Sequence, residues 1–144
     1  MRAFLIAAAA LTAFAAAPAS AQSSNDPYVG TWAFQTASYG NEQVGGIMSG
    51  AAVIRREGRD RYSIRLLANE RLVNRETSQG AFLTARQTCT GVNDGGQFTI
   101  TCQMAEPLEG YQPDNFVLQQ GETDQLVGVL QSNNSSQVTF SRLR

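Results

Sequence analysis

Histidine and lysine are both missing: all eleven basic residues among the 144 are arginine. Without histidine the chain lacks the commonest general base and metal ligand, and any side chain that ordinarily titrates near neutral pH. Neither a Ser–His nor a Cys–His pairing can be drawn, and Gly-x-Ser-x-Gly does not occur. Three carboxylate pairs exist, Glu57 with Asp60, Glu106 with Glu109 and Glu122 with Asp124. They fall in turns or loops, where acids are ordinarily solvated; a catalytic pair needs a cleft between its members and one carboxyl raised by burial. The expectation is therefore no enzyme, no cofactor and no metal site. Two cysteines are too few for a cysteine-rich metal site, and they are not spaced as Cys-x-x-Cys. Eleven basic against twelve acidic residues leave a net charge of −1, which does not recommend nucleic acid as a partner.

The opening "MRAFLIAAAALTAFAAAPASAQ" is read apart from the fold. Arg2 supplies a positive start, Phe4 to Ala17 an apolar run, and Ala19-Ser20-Ala21 a small-x-small cleavage site. Residues 1–21 thus form a secretory signal peptide, with removal after Ala21. The apolar run is shorter than the roughly 20 residues a spanning helix needs, and no cysteine follows for lipid attachment. No stable membrane anchor is expected after cleavage, and the location is periplasmic or secreted. Residues 22–27 read as a flexible polar tail, and 28–144 as one domain of ordinary size.

Nearly all of that domain alternates. "YVGTWAFQT" puts Trp32 and Phe34 on one face; "RYSIRLL" does the same with Tyr62, Ile64 and Leu66. "GGIMSGAAVIRRE" reads as a strand of small residues, and "ERLVNRE" as a further short strand. "GAFLTARQTC", "GQFTITCQM", "DNFVLQQ", "QLVGVLQ" and "QVTFSRL" follow, separated by Gly, Asn, Asp, Pro and Ser clusters. Eight or nine short strands at this spacing, with no sustained helical period, predict an all-β sandwich or barrel. The longest irregular stretch, residues 105–114, carries two prolines and a glycine and suits a surface loop.

The cysteines fit this pattern. If a hairpin turns at Gly95-Gly96, a pair suited to positive φ, Asp94 pairs with Gln97 and each step outward follows until Cys89 faces Cys102. That pair is a non-hydrogen-bonded one, with Cα atoms about 4.5 Å apart, within reach of a disulfide. Phe98, Ile100, Cys102 and Met104 then share one face. An exported chain favours oxidation, so a structural disulfide Cys89–Cys102 is predicted.

Charge is unevenly laid out. Seven arginines lie between Arg55 and Arg75, whereas from Cys89 onward six acids face only Arg142 and Arg144. Arg59, Arg61 and Arg65 form a candidate anion or partner surface, since arginine suits bidentate contacts. The simpler reading is that Arg61 and Arg65 occupy the polar face that alternation demands and keep the outside wetted.

Gly30-Thr31-Trp32 opening the first strand, with Arg142 on the last, resembles the calycin group: lipocalins, avidins and the small periplasmic inhibitors of serralysin-type metalloproteases. The resemblance implies that Trp32 closes one end of a barrel and that Arg142 lies across it. The chain departs from each subgroup, being short for a lipocalin, having a single Trp unlike the avidins, and carrying its disulfide late rather than early. The fold expected is an antiparallel meander of about eight strands closed into a small lipocalin-like barrel. Its inward candidates are Trp32, Phe34, Tyr62, Ile64, Leu66, Leu83, Phe98, Ile100, Phe116, Leu118, Leu126 and Phe140. Their bulk predicts a filled interior, while Gly45, Gly46, Gly50, Ala51 and Ala52 relieve curvature or leave room. Two functions stay open. One is a binding module for a small apolar or amphipathic ligand, with Tyr111 near the mouth. The other is a protein-interaction module, such as a protease inhibitor working through residues 22–27 or its surface. Oligomeric state is left open.

Overall fold

The computed structural model describes residues 25–144, so the expected leader and Gln22 to Ser24 lie outside the described residues. Alternation becomes strand throughout: β1 (Gly30–Thr36), β2 (Tyr39–Gly40), β3 (Val44–Arg56), β4 (Arg61–Asn74), β5 (Gly80–Asp94), β6 (Gln97–Met104), β7 (Asn115–Gln120), β8 (Gln125–Gln131) and β9 (Ser135–Arg142). Each strand from β3 to β9 pairs antiparallel with the next. β1 then pairs with both β9 and β3, closing eight strands into a barrel. The two-residue β2 is the one strand outside the ring; it extends the edge of β3.

One boundary differs from expectation. The segments read as two short strands, around 61–67 and 70–76, are a single 14-residue strand, β4. A lone Asn69, with no Gly or Pro beside it, does not turn the chain, and the inward parity of Tyr62, Ile64 and Leu66 continues through Ala68 and Glu70. The wall made by β3, β4 and β5, at 13 to 15 residues, therefore stands taller than the opposite wall of β6 to β9, at 6 to 8.

The predicted hairpin register holds: Asp94 pairs with Gln97, and Cys89 with Cys102. The turn residues Gly95 and Gly96 adopt φ of 57° and 94°, the left-handed geometry such a turn requires. The two sulfurs are bonded, with Cα atoms 4.0 Å apart, and both cysteines are buried inside the barrel.

The core is filled. Trp32, Tyr62, Phe98, Phe116, Phe140, Ile54, Ile100, Leu118, Leu126 and Leu130 are all essentially inaccessible. The aromatic rings form two groups. Phe34, Phe116 and Phe140 meet at centroid distances of 5.0 to 5.7 Å in mid-barrel. Tyr28 and Tyr62 flank Phe98 at 4.3 and 5.2 Å near one end. The small residues of β3 leave room that neighbours occupy: a Cβ on Gly50 would run into the Phe34 ring and the Leu67 carbonyl, and one on Gly46 into Tyr39. Of the inward candidates only Leu83 escapes full burial, because it lies above the short wall. The outer face carries Arg65, Arg86, Thr88, Thr101 and Gln103, all exposed. Val53, Leu67, Phe82, Val92 and Val129 are exposed among them.

Candidate functional site

The two ends of the barrel are built differently. At the end where β1 begins, Trp32 is 1% exposed and its Nε1 donates to the Tyr28 carbonyl at 2.9 Å. The Arg142 guanidinium lies over the Trp32 ring, 4.3 Å from its centroid. The same guanidinium donates to the carbonyls of Val29 and Pro27 and pairs with Asp124 at 3.1 Å. Gly30 stands at φ 146°, and a Cβ there would strike Arg142, so glycine is what lets the arginine cross the opening. Asp26, with a side chain 3% exposed, pairs with Arg56 at 2.7 Å and accepts from the amides of Tyr28 and Val29. The segment read as a free tail is thus anchored at Asp26 and Pro27, where it helps plug this end; Gln22 to Ser24 lie outside the described residues. The depression around Asp124 and Arg142, about 590 Å³, is shallow and lined mainly by polar groups. Its charged pair is already satisfied internally.

At the opposite end the 105–114 loop folds across the mouth. It leaves β6 through a bond from the Ala105 amide to the Arg86 carbonyl at 2.9 Å and turns at Gly110, φ 76°. It returns at Asp114, whose amide donates to Gln87 Oε1 at 2.8 Å. Two prolines and a glycine keep this segment out of the sheet. Beneath it is a cavity of about 210 Å³ between Tyr39 at the β2 edge, Met48 on β3, Glu70 and Leu72 on β4, Leu83 on β5, Tyr111 and Asp114 of the loop, and Leu130 and Ser132 at the end of β8. At about 30 Å³ per water, that is space for roughly seven. Tyr111, expected near a ligand mouth, lines it.

Polar residues are concentrated here, and they are buried. Asp114 is 0% exposed and Glu70 8%. Tyr39 donates its hydroxyl to Glu70 Oε1 at 2.5 Å. Asp114 Oδ2 accepts from Tyr111 at 2.8 Å and from Gln87 Nε2 at 2.5 Å. The other oxygen, Oδ1, has no hydrogen-bond partner. Ser132 interacts with the carboxyl strongly enough to favour its ionised form but forms no bond to that oxygen.

Burial raises the Asp114 pKa; the hydrogen bonds from Tyr111 and Gln87 and the nearby Ser132 hydroxyl oppose the rise, and the Glu70 charge adds to it. Burial also pushes the hydroxyls of Tyr39 and Tyr111 far up, reinforced for Tyr39 by Glu70 and for Tyr111 by Asp114. Both phenols therefore remain protonated donors at neutral pH. For Asp114 the folded chain holds its proton at pH values where the unfolded chain, near the ordinary value of 3.8, has released it. Stability then falls as pH rises from about 4 to the raised folded pKa, with a slope of at most one proton, about 1.4 kcal/mol per pH unit. Asp114→Asn removes that decline while keeping the shape that Gln87 and Tyr111 grip. Urea midpoints of both proteins between pH 3.5 and 8 check this: parallel profiles would show that Asp114 titrates as it does in the unfolded chain.

No protein-family model matches this chain, and no curated protein matches it in sequence. The closed eight-stranded antiparallel barrel is consistent with a calycin-like architecture.

The remaining sequence candidates are not gathered into a site. Arg59 is exposed in the turn between β3 and β4, Arg61 begins β4, and Arg65 lies on the outer wall opposite Val53 and Thr88. Among the described residues no ion pair involves any of the three, and they stand apart from the mouth cavity. No group of three or more Cys, Asp or Glu among the described residues is arranged to hold a metal ion. The residues that sequence reasoning missed are Tyr39, Glu70, Gln87 and Asp114. Three of them carried a signal. Glu70 shares parity with Ile64 and Leu66, Gln87 with Cys89, and Asp114 with Phe116 and Leu118. A polar residue on an inward row is the mark that was passed over.

Proposed function

We propose that this protein is an exported binding module of calycin-like architecture that takes a small amphipathic ligand at the mouth between the 105–114 loop and the tall β3–β5 wall. The observation that carries the reading is the mouth cavity itself, where Met48, Leu72, Leu83 and Leu130 supply apolar walls beside Tyr39, Glu70, Tyr111 and Asp114. Gln112, Ser132, Asn133 and Asn134 complete its rim, and polar groups converging beside apolar walls are a usual form of a small-molecule site. The filled core restricts the ligand: long lipid chains have no room below the mouth, so the fit is for something of about ten atoms or fewer, on the order of the cavity's seven-water capacity. Export follows from the leader pattern and suits the buried disulfide, which persists in oxidising compartments.

The protease-inhibitor alternative is less favoured. Its tail mechanism needs residues 22–27 free to enter a cleft, whereas Asp26 is held by Arg56 and Pro27 by Arg142.

An NMR titration of the ¹⁵N-labelled protein with small alcohols and amines tests the proposal. Shifts should concentrate at Leu72, Leu83, Tyr111 and Leu130 and spare the Trp32 end. Leu83→Trp, which places a large ring in the half-open position, should weaken binding at least tenfold and leave the unfolding midpoint within about 0.5 kcal/mol of the parent, as for a change outside the packed core. Shifts at the Trp32 end, or full binding by the filled variant, would overturn it.

A further inference from the structure

The mouth holds two carboxyls in a recess with no arginine among its lining residues, although the chain has eleven. Four titratable groups face one another there from separate elements: Tyr39 on β2, Glu70 on β4, and Tyr111 and Asp114 on the loop. The two phenols both donate to the carboxyls, so they offer no further proton to a ligand and present their rings to the cavity wall. What is left over is an acceptor. Asp114 is completely buried, and its Oδ1 is unpartnered.

Neither charge state of Asp114 resolves this alone. Ionised, Oδ1 is a buried anionic oxygen without a donor; protonated there, it is a buried O–H without an acceptor. Either leaves a buried polar atom short by one bond, which is costly away from water. Buried polar atoms are nearly always paired, and Asp114 is one of the residues lining the mouth cavity; Oδ1 itself is closed to water in this conformation, so a ligand nitrogen reaches it with a small shift of the loop above. The complement of an unpaired carboxylate oxygen, a nearby second carboxyl and two tyrosine faces is an N–H-bearing cation. Its charge is attracted through a low-dielectric setting, its N–H reaches Oδ1, and tyrosine rings within about 6 Å add cation–π attraction. A calcium ion is a poorer match, since it asks for six to eight oxygen ligands, whereas no group of three or more acidic residues among the described residues gathers here and Val44, Met48, Leu72, Leu83 and Leu130 line the recess beside Gln112, Ser132 and the two asparagines that follow.

We propose that the mouth cavity is selective for small organic ammonium ions with a short hydrocarbon body, the ammonium nitrogen donating to Asp114 Oδ1 beside Glu70 and the hydrocarbon lying against Leu72, Leu83 and Leu130. The inference rests on the mouth-binding reading above and specifies its ligand class.

The test compares three probes of equal chain length by isothermal titration at pH 7 and low salt: n-hexylammonium, hexan-1-ol and hexanoate. Hexylammonium should bind at least tenfold tighter than hexanol, and hexanoate should not bind. Asp114→Asn should bring hexylammonium down to the affinity of hexanol while leaving hexanol unchanged, and Glu70→Gln should lower the preference less. Should Asp114→Asn fail to fold, the parent protein supplies the second measurement, since its preference for hexylammonium must shrink toward unity as the pH is lowered through the raised titration range of Asp114, above the ordinary carboxyl value. Hexanol binding as tightly as hexylammonium would overturn the charge selectivity and leave the mouth site standing. A preference that survives both Asp114→Asn and acid would overturn it too. No binding of hexylammonium or hexanol would remove the mouth site and this inference together.

Discussion

Trp32→Ala should destabilise the barrel by about 3–5 kcal/mol, the usual cost of truncating a fully buried tryptophan. The side chain is 1% exposed, so the substitution leaves a cavity that the rigid closed sheet cannot collapse around. It also removes the bond from Nε1 to the Tyr28 carbonyl and the ring beneath Arg142. Arg142 would keep Asp124 and the carbonyls of Pro27 and Val29, but with one face newly wetted. Against a typical domain stability of 5–15 kcal/mol, the variant would be marginal. Because Trp32 is the only tryptophan, the midpoint must be followed by circular dichroism in urea rather than by indole fluorescence. Trp32→Phe separates the terms: it retains a ring under the guanidinium and loses the hydrogen bond, and should cost about half as much or less. An alanine variant within 1 kcal/mol of the parent would mean that the Trp32 end is not closed in solution as described.

Removing the sulfur bridge should cost about 2–3 kcal/mol. Chain-entropy reasoning puts a loop near 15 residues at about 3 kcal/mol. The hairpin turn at Gly95-Gly96 already brings β5 and β6 into register, which trims the gain because the unfolded ends stay partly close. Two further losses act the other way, since both sulfurs are buried among core side chains and alanine fills less space. The measurement is the urea midpoint of the Cys89→Ala/Cys102→Ala double variant, with the same variant's hexanol affinity as a control for the mouth. No change in midpoint would show that the hairpin register carries the whole effect. A loss of binding alongside would show that the bridge helps hold the mouth, since Gln87 stands two residues from Cys89 and Asn115 accepts from the Cys102 amide.

The reading of particular elements shows where local pattern suffices. Cys89 facing Cys102 followed from counting outward from Gly95-Gly96, because in an antiparallel ladder each step is set by the one before. Phe98, Ile100, Phe116, Leu118 and Phe140 were placed inward by parity alone, and all are buried. The same parity placed Glu70, Gln87 and Asp114 inward as well. Their parity does not distinguish them from polar residues that simply break an apolar row, and nothing within a few residues of Glu70 says that Asp114 will line the same recess. The anchoring of Asp26 was hidden for a similar reason: Arg56 and Tyr62, which hold it, are 30 and 36 residues away.

Strand alternation, turn residues and cysteine spacing are short-range properties, each readable within a dozen residues. They were enough for an all-β chain, its interior row and the place of its bridge. Closure of β1 onto both β3 and β9 is a long-range event, and it alone decides which ends of which strands meet. The plug of Asp26, Trp32 and Arg142 at one end, and the meeting of Glu70 with Asp114 at the other, depend on that closure and on the unequal heights of the walls. Polar side chains on an inward row become a site only when the ring brings their rows to the same level, and that level is a property of the closed sheet.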